Sequence, residues 1–207
     1  MIRGKLCKKC RRANEKLFLK GERCNSTKCA MVKRNYPPGI HGQKGYSRLS
    51  SFGLHLKEKQ KIRNIYGISE KQMSNYMKLA LHKKGNTEIY FLQLLERRLD
   101  NVIFRLGLAE SRIAARQLVS HGHFLINNRS VDIPSFIVKI NDEITLKKKS
   151  FSNKYFVERL KKIEKYTPSV WLYFDKKKLS AKILKEPEKE NLNLGFQTQL
   201  VVEYYSR

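Results

Sequence analysis

Apolar residues recur at helical spacing through the first half of the chain. The stretch Ser47–Lys84 predicts two helices, because Gly67 ends one periodic run and Ser69 begins the next, with Gln72 completing a capping box. The second of these helices places on one face, as its predicted core, Met73, Tyr76, Met77, Ala80 and Leu81.

Two further helices are predicted beyond this region. One covers Tyr90–Leu106 and ends at Gly107, and the other covers Ser111–His121 and ends at Gly122, with Ser111 as its N-cap. The first carries a buried stripe at Leu92, Leu95, Leu99, Val102, Ile103 and Leu106. In the second helix the residues predicted to face the core are Ala114, Ala115, Leu118 and Val119. The small alanine side chains allow the two helices to pack closely together.

Alternating apolar and polar residues follow the helix pair and predict strands. Phe124–Ile126 and Ser130–Ile133 flank Asn127–Asn128, a pair typical of a tight hairpin turn. A second hairpin is predicted around Asn141–Asp142, with apolar residues alternating over 136–146.

The last quarter of the chain is predicted to contain three elements. These are a basic helix over Ser152–Tyr166, a short strand at Trp171–Phe174, and an apolar segment, Gln197–Tyr205, that returns to the core. Trp171 is predicted to be a core residue rather than a base-stacking ring, because its neighbours are apolar.

Charge is the strongest global signal. The chain has 44 Lys and Arg against 18 Asp and Glu, a formal net charge of +26, which favours a polyanionic partner. Nucleic acid is the first candidate and an anionic membrane surface the second. No apolar run is long enough for a transmembrane helix, and the first residues, MIRGKLCKKC, lack the apolar core of a secretion signal, so we expect a reducing compartment.

The excess of positive charge is uneven. Residues 1–64 hold 18 Lys and Arg against three Glu, whereas residues 96–146 hold seven Lys and Arg against six acids. This division predicts a basic arm that supplies general phosphate attraction and a nearly neutral module that supplies geometry.

All four cysteines lie close together near the start of the chain. Cys7 and Cys10 form CxxC, and Cys24 and Cys29 follow as CxxxxC. Two such pairs can hold one metal ion tetrahedrally, and the neighbouring lysines and arginines would help to keep the thiols ionised. Zinc is the default ion and an iron–sulfur cluster the second candidate, while two disulfides or unpaired thiols are the alternatives without metal. With four protein ligands the site would be structural.

Two basic segments precede the module. Residues 34–45, RNYPPGIHGQKG, are predicted to be extended because of their prolines and glycines, either lying along RNA or acting as a flexible linker. The helical face with Lys57, Lys59, Lys61 and Arg63 has only Glu58 beside it, which favours phosphate contact over a solvated surface.

The module itself offers arginines as candidate ligands. Arg112 and Arg116 lie four residues apart on one exposed helical face, and a guanidinium can hold a phosphate with two hydrogen bonds or stack on a base. Phosphate-binding glycine loops, HExxH and nucleophile elbows are absent from the sequence, which argues against an enzyme. A zinc-dependent DNA-binding factor is the other alternative.

Residues 96–135, ERRLDNVIFRLGLAESRIAARQLVSHGHFLINNRSVDIPS, closely resemble the RNA-binding module of the small-subunit ribosomal protein S-four family. The resemblance extends over essentially the whole chain through CKKC, CNSTKC, YPPGIHGQKG, KEKQKIRNIYGISEKQ, LERRLDNV, VWLYFD and VVEYY. The cysteines are similar to those of a bacterial-type, metal-binding branch. One departure is GNTEIYFLQLLERR, where the family usually has a second glycine and an asparagine after GNT, so the start of the module's first helix is expected to differ while binding is retained.

The resemblance implies an α+β fold: a helical domain with an inserted module of two helices packed on a small antiparallel sheet, preceded by a metal-knuckle arm. The expected segments are 1–45 for the arm, 46–95 with 195–207 for the helical domain, and 96–194 for the module with its basic extension. The implied function is structural, not enzymatic: direct, early binding of small-subunit ribosomal RNA at a multi-helix junction of its 5′ domain, and nucleation of assembly.

The resemblance also implies partners and a location. The family contacts ribosomal protein S-five, an interface linked to decoding accuracy, and helps to line the path by which messenger RNA enters, beside ribosomal protein S-three. The chain is expected in a ribosome of the cytoplasm or of an organelle, without a membrane partner or a small-molecule substrate. The residues predicted to bind RNA are Arg3, Arg11, Arg12, Arg34, His41, Gln43, Lys44, Lys57, Lys61, Arg63, Arg97, Arg98, Arg105, Arg112, Arg116, Gln117, His121, Asn127 and Arg129.

Overall fold

The computed structural model describes residues 5–163, 166–176, 178–188 and 195–206. Its α-helices, in chain order, are α1 (Leu6–Ala13), α2 (Ala30–Lys33), α3 (Ser51–Tyr66), α4 (Glu70–His82), α5 (Thr87–Glu96), α6 (Leu99–Arg105), α7 (Arg112–Ser120), α8 (Lys154–Ile163) and α9 (Thr198–Tyr205). Its strands are β1 (Phe124–Ile126), β2 (Arg129–Ser130), β3 (Glu143–Leu146), β4 (Leu172–Asp175) and β5 (Ser180–Ile183). The predicted mixture of helices and a small antiparallel sheet, α+β, is confirmed.

The chain divides into two compact units, residues 1–91 with 194–207 and residues 92–193. We call them the first and the second unit. The three segments expected from the sequence are a finer division and stay a prediction. In the described residues, no helix is long and apolar enough to cross a membrane.

Helices α3, α4 and α9 form the helical part of the first unit. The boundary between α3 and α4 is as predicted: Gly67, at φ 68°, ends α3, and Ser69 and Gln72 form both hydrogen bonds of the capping box. Helix α9 packs against α3, with the rings of Phe52 and Tyr204 5.7 Å apart.

The core face predicted for α4 is confirmed in part. Met73, Met77 and Ala80 are buried, whereas Tyr76 is half-buried and Leu81 is 44% exposed. The buried stripe is narrower than the apolar pattern, because only the positions spaced four and three residues apart face the interior of the unit.

A five-stranded antiparallel sheet, in the order β2-β1-β3-β5-β4, organises the second unit. Its register places Phe124 opposite Leu146 and Leu172 opposite Ile183. One face of the sheet packs with α6, α7 and α8 around a shared core, in which Trp171 is completely buried, as predicted.

The helix predicted over Tyr90–Leu106 is in fact two helices, α5 and α6. Between them Arg98 is extended, with φ −64° and ψ 137°, and forms a β-bridge with Ile137. The amide of Val138 donates to the carbonyl of Arg97 at 2.9 Å, and the amide of Leu99 to the carbonyl of Phe136 at 2.8 Å. Strand-like pairing with a segment 40 residues away therefore interrupts a helical pattern.

The prediction of a second hairpin is also wrong. Strand β3 pairs with β1 and β5 rather than with residues 136–140. Asn141, at φ 68°, does form a turn, but residues 136–138 pair with the α5–α6 junction instead. Of the basic helix predicted over Ser152–Tyr166, Lys154–Ile163 is helical, residues 164–165 lie outside the described residues, and Tyr166 is not helical.

Candidate nucleic-acid interface and cysteine cluster

Helices α6 and α7 present the module's arginines. Ser111 caps α7 by accepting a hydrogen bond from the amide of Ala114 at 3.2 Å, as the sequence predicts. Gly107 ends the turn after α6 at φ 77°, where a Cβ atom would lie only 2.7 Å from the ring of Tyr166. The geometry of the helix pair therefore depends on a residue without a side chain at this turn.

Two buried carboxylates hold arginines at the α5–α6 junction. Asp100, 2% exposed, accepts from Arg98 at 3.0 and 2.6 Å, and Arg116 approaches the same carboxylate at 3.7 Å. Glu96, completely buried, accepts two hydrogen bonds from Arg105 at 3.0 and 2.9 Å. These acids were missed by sequence reasoning, although charged residues within the apolar stripe of LERRLDNV are the signal that could have revealed them.

Asn101 links the Glu96 carboxylate to the exposed face of α7. Its amide nitrogen donates to Glu96 Oε2 at 2.7 Å, and its oxygen accepts from Arg112 Nε at 2.7 Å. The Arg112 guanidinium also lies over the ring of Phe104, 4.5 Å from its centroid. Arg112 and Arg116 are thus half-buried and oriented by the fold, which reduces the entropy that they would lose on binding a phosphate.

The structure contradicts one candidate outright. Arg98 is completely buried and paired with Asp100, so its guanidinium cannot reach a ligand in this conformation. Arg97 and Arg105 each keep only 17% of their side chains exposed, because Arg97 donates to the carbonyl of Val138 and to Glu186, and Arg105 is held as described above.

The basic face of α3 is largely neutralised by an acid of the same helix and by acids from other segments. Lys61 contacts Glu15 at 2.6 Å and Glu58 at 2.9 Å, and only 11% of its side chain is exposed. Burial acts to lower the pKa of Lys61, but these two carboxylates outweigh it and raise the pKa. Lys59 and Arg63 both contact Glu70, so these three cations have carboxylate partners within the chain, and the contact of this face with phosphate stays a prediction.

The loop of residues 34–45 is compact rather than extended. It contains a 3₁₀ turn, Ile40–Lys44, and a Cβ atom at Gly42 would lie 2.0 Å from the carbonyl oxygen of Pro37. Arg11 fixes the loop by donating to the carbonyls of Tyr36 and Pro37 at 2.8 and 3.1 Å. The prediction that this segment is extended is therefore wrong, because its prolines and glycines allow the backbone to fold closely on itself.

The other candidates are spread over both units. Arg3 lies outside the described residues, and Lys57 is half-buried on α3. Exposed side chains belong to Arg12, Arg34, His41, Gln43, Lys44, Gln117, His121, Asn127 and Arg129. Their contact with RNA stays a prediction. Asn127 also has a structural role, because it donates to Asp142 at 2.8 Å and accepts from the amide of Glu143 at 3.0 Å.

The four cysteines line one small cavity in the first unit. Cys7 and Cys10 lie one turn apart on α1, Cys24 ends a 3₁₀ turn, and Cys29 precedes α2. All four are free thiols, and all but Cys7 are buried. The amide of Lys20 donates to Cys24 Sγ at 3.4 Å.

The surroundings of Cys10 differ from the expectation that basic neighbours keep the thiols ionised. Burial raises the pKa of Cys10, a backbone hydrogen bond lowers it, and the thiols of Cys24, Cys7 and Cys29 raise it further. The sulfur atoms of the other three cysteines are thus near enough to Cys10 to affect its pKa.

The four cysteines are suitable ligands for a metal ion, but their side chains are not arranged as a formed metal site. Four sulfur donors around a common cavity are a typical ligand set for zinc. However, among the described residues no three His, Cys, Asp or Glu side chains converge as a formed metal site. The sulfur atoms would have to approach each other for an ion to be held.

Comparison with known families divides the chain at the junction between α5 and α6. Residues 1–96 match the "Ribosomal protein S4/S9 N-terminal domain", and residues 97–144 match the "S4 domain". The second match covers β1, β2, the start of β3 and the helix pair α6 and α7, of which α7 carries Arg112 and Arg116.

Curated relatives match along nearly the whole chain. The "Small ribosomal subunit protein uS4" of Syntrophomonas wolfei is 48% identical over 98% of this chain and 97% of its own length. The uS4 proteins of Thermus thermophilus and Acetivibrio thermocellus are 50% and 47% identical, each over 99% of this chain and 98% of their own length. On identity and coverage of this extent, the chain belongs to the ribosomal protein S4 family, whose small-subunit members are named uS4.

Proposed function

We propose that this chain is a structural component of the small ribosomal subunit that binds small-subunit ribosomal RNA directly. The observation that carries the proposal is the near-complete match, at 47–50% identity, to proteins named as small-subunit ribosomal proteins. Its net charge of +26 suits a polyanionic partner. Because these relatives are ribosomal structural proteins, a catalytic function is not proposed.

The proposed contact of the module with RNA is made by the exposed face of α7. Arg112 and Arg116 are held by Asn101 and Asp100 on one side and are partly exposed on the other. Such pre-oriented guanidinium groups contribute placement, while the exposed cations of the N-terminal arm contribute general attraction.

Binding to RNA and DNA of equal length tests this function. The transcribed 5′ domain of small-subunit ribosomal RNA should bind the full chain more tightly than a random DNA duplex, at each of several KCl concentrations. The double variant Arg112→Ala/Arg116→Ala should lower the slope of log affinity against log salt by about one for each phosphate that these arginines neutralise. The matched control is Lys139→Ala/Lys182→Ala, which removes two exposed cations from other elements of the same unit. Equal affinity for RNA and DNA would contradict the proposal.

The finer role follows from the family resemblance. The chain binds a multi-helix junction of the 5′ domain early, nucleates assembly, contacts ribosomal protein S-five at an interface that affects accuracy, and lines the incoming messenger path beside ribosomal protein S-three. The site of action is then a ribosome of the cytoplasm or of an organelle. Cross-linking within purified small subunits would identify both neighbours, and cross-links to neither would contradict this part of the proposal.

The cysteine cluster is proposed to be a structural zinc site of the metal-binding branch of the family. Cys7, Cys10, Cys24 and Cys29 would hold the ion, which would cross-link a segment that has a small core of its own. An iron–sulfur cluster is the second candidate for the same ligands. Elemental analysis of protein purified under reducing conditions tests both, and a preparation without zinc or iron would contradict the metal site.

A further inference from the structure

The cations of the second unit fall into two groups according to their partners. Arg97, Arg98 and Arg105, which are predicted to bind RNA, are held by Glu96, Asp100 or a backbone carbonyl. In contrast, no acidic residue occurs between Glu143 and Glu158, a stretch with four lysines. Within the described parts of the chain, no carboxylate contacts Lys147, Lys148 or Lys149, whose side chains are among those four.

Three basic side chains meet around Gly122, at the end of α7. The rings of His121 and His123 are 6.1 Å apart, and a Cβ atom at Gly122 would lie 3.5 Å from Lys147 Nζ. The amide of Lys147 donates to the carbonyl of His123 at 2.9 Å, which joins the two segments at this point. The fold therefore brings together basic side chains that are more than 20 residues apart in sequence.

A rigid support orients this group. His123 Nδ1 is 2.9 Å from the hydroxyl of Ser150, which is 5% exposed, and its ring packs edge-on against Phe156 at 5.3 Å. The 3₁₀ turn Lys148–Ser150 leaves the side chains of Lys148 and Lys149 exposed. The C-terminal end of α7 carries partial negative charge, which stabilises cations placed there.

Nothing within the described part of the chain neutralises the group. Burial lowers the pKa of His123, and the nearby His121 and Lys147 lower it further. A bound anion would relieve this repulsion. Phe151, beside the lysines and 38% exposed, offers a ring on which a base could stack.

We propose that His121, His123, Lys147, Lys148 and Lys149, here called the His–Lys cluster, form a second RNA-contact surface of the module that binds backbone phosphates. This inference rests on the proposed function, because it takes ribosomal RNA as the ligand. The lysines of the cluster supply positive charge that no carboxylate of the described residues neutralises. Arg112 and Arg116 supply guanidinium groups that the fold holds in a set orientation.

The full-length variant Lys147→Ala/Lys148→Ala/Lys149→Ala tests the cluster. Its affinity for the transcribed 5′ domain of small-subunit ribosomal RNA should fall by roughly tenfold to a hundredfold, and its salt slope by about two to three. The matched control, Lys139→Ala/Lys178→Ala/Lys182→Ala, removes the same charge from exposed positions elsewhere in the unit and should keep a slope within about one of the unaltered chain.

A second measurement uses the unaltered protein, so it does not depend on whether the variant folds. Lysine acetylation of the unaltered protein, with and without the RNA, should show protection of Lys147–Lys149 and little protection of Lys139 and Lys182. If the unaltered protein binds the RNA but both triple variants have the same affinity and slope, or the cluster stays reactive in the complex, the His–Lys cluster is not an RNA-contact surface. If the unaltered protein does not bind this RNA, the proposed function itself fails.

Discussion

At the scale of single residues, buried acids decide which cations of the second unit are available. Asp100 and Glu96 take up Arg98 and Arg105 and orient Arg116. A charge count of the sequence treats all arginines alike, but a buried carboxylate needs partners, since an isolated buried charge is strongly unfavourable. The main role of the arginines nearest to these acids is therefore to neutralise the buried carboxylates.

Asp100→Asn should destabilise the protein by about 3 to 5 kcal/mol, because it leaves the completely buried Arg98 without its countercharge. The measurement is urea unfolding, followed by circular dichroism. Asp132→Asn, at an exposed aspartate of the same unit, is the control and should change the free energy of unfolding by less than about 0.5 kcal/mol. A small effect of Asp100→Asn would show that the ion pair is solvated.

The pH dependence of stability should reflect His123. Burial, followed by the positive charges of His121 and Lys147, holds its pKa below the ordinary value of 6.5, while Ser150 and Phe156 face the same ring. The unfolded chain then binds the proton more readily, so stability is complete above about pH 6.5 and is lost as pH falls through the lower pKa of the folded state.

Thermal unfolding between neutral and mildly acidic pH checks this expectation. His123→Asn removes the titration and retains a polar partner for Ser150, so its melting temperature should fall less steeply on acidification than that of the unaltered chain. His41→Asn, in an exposed loop of the other unit, is the control. Equal slopes for all three proteins would exclude His123 as the titrating group.

At the scale of secondary structure, distant pairing overrides local pattern at two places. The α5–α6 junction breaks a helical stripe because Arg97 and Leu99 exchange hydrogen bonds with residues 136–138. The same exchange removes residues 136–140 from their predicted hairpin, and β3 pairs with β1 instead. Helix ends set by glycines and serines, in contrast, are local and were predicted correctly at Gly67, Ser69 and Ser111.

The turn between β1 and β2 gives a prediction for the sheet. Asn127 has a positive φ of 48° and makes two side-chain hydrogen bonds to residues 142 and 143. Asn127→Ala should cost about 2 kcal/mol, because both hydrogen bonds are removed and alanine disfavours this conformation. Asn128→Gly, at φ 65°, should be neutral or slightly stabilising. Chemical denaturation compares the two, and equal effects would show that Asn127 acts only as a turn residue.

At the scale of the whole molecule, the chain contains two units of different construction. The second unit has an extensive apolar core built from the sheet and three helices. In the first unit, residues 5–33 contain only short helices, and their buried residues are few. Cross-linking by a metal would therefore have its greatest effect there.

Removal of the proposed metal should loosen residues 5–33 without affecting the sheet of the second unit. Hydrogen exchange after chelation, or in Cys24→Ala, should become faster in α1 and α2 and remain unchanged in β1 and β3. Thr27→Ala, at an exposed residue between Cys24 and Cys29, serves as the control. Slow exchange of α1 in fully demetallated protein would show that the segment is stable without an ion.

The sequence alone determined the helix ends at Gly67, Ser69 and Ser111, the first hairpin turn, the family and its RNA-binding function class, because capping residues, glycines, motif spacing and net charge act locally or additively. Only the tertiary structure decided the division of one helix into two, the strand order, and which cations have internal partners. Those features depend on groups far apart in sequence, such as Lys61 with Glu15 or His123 with Lys147, whose proximity no local pattern encodes.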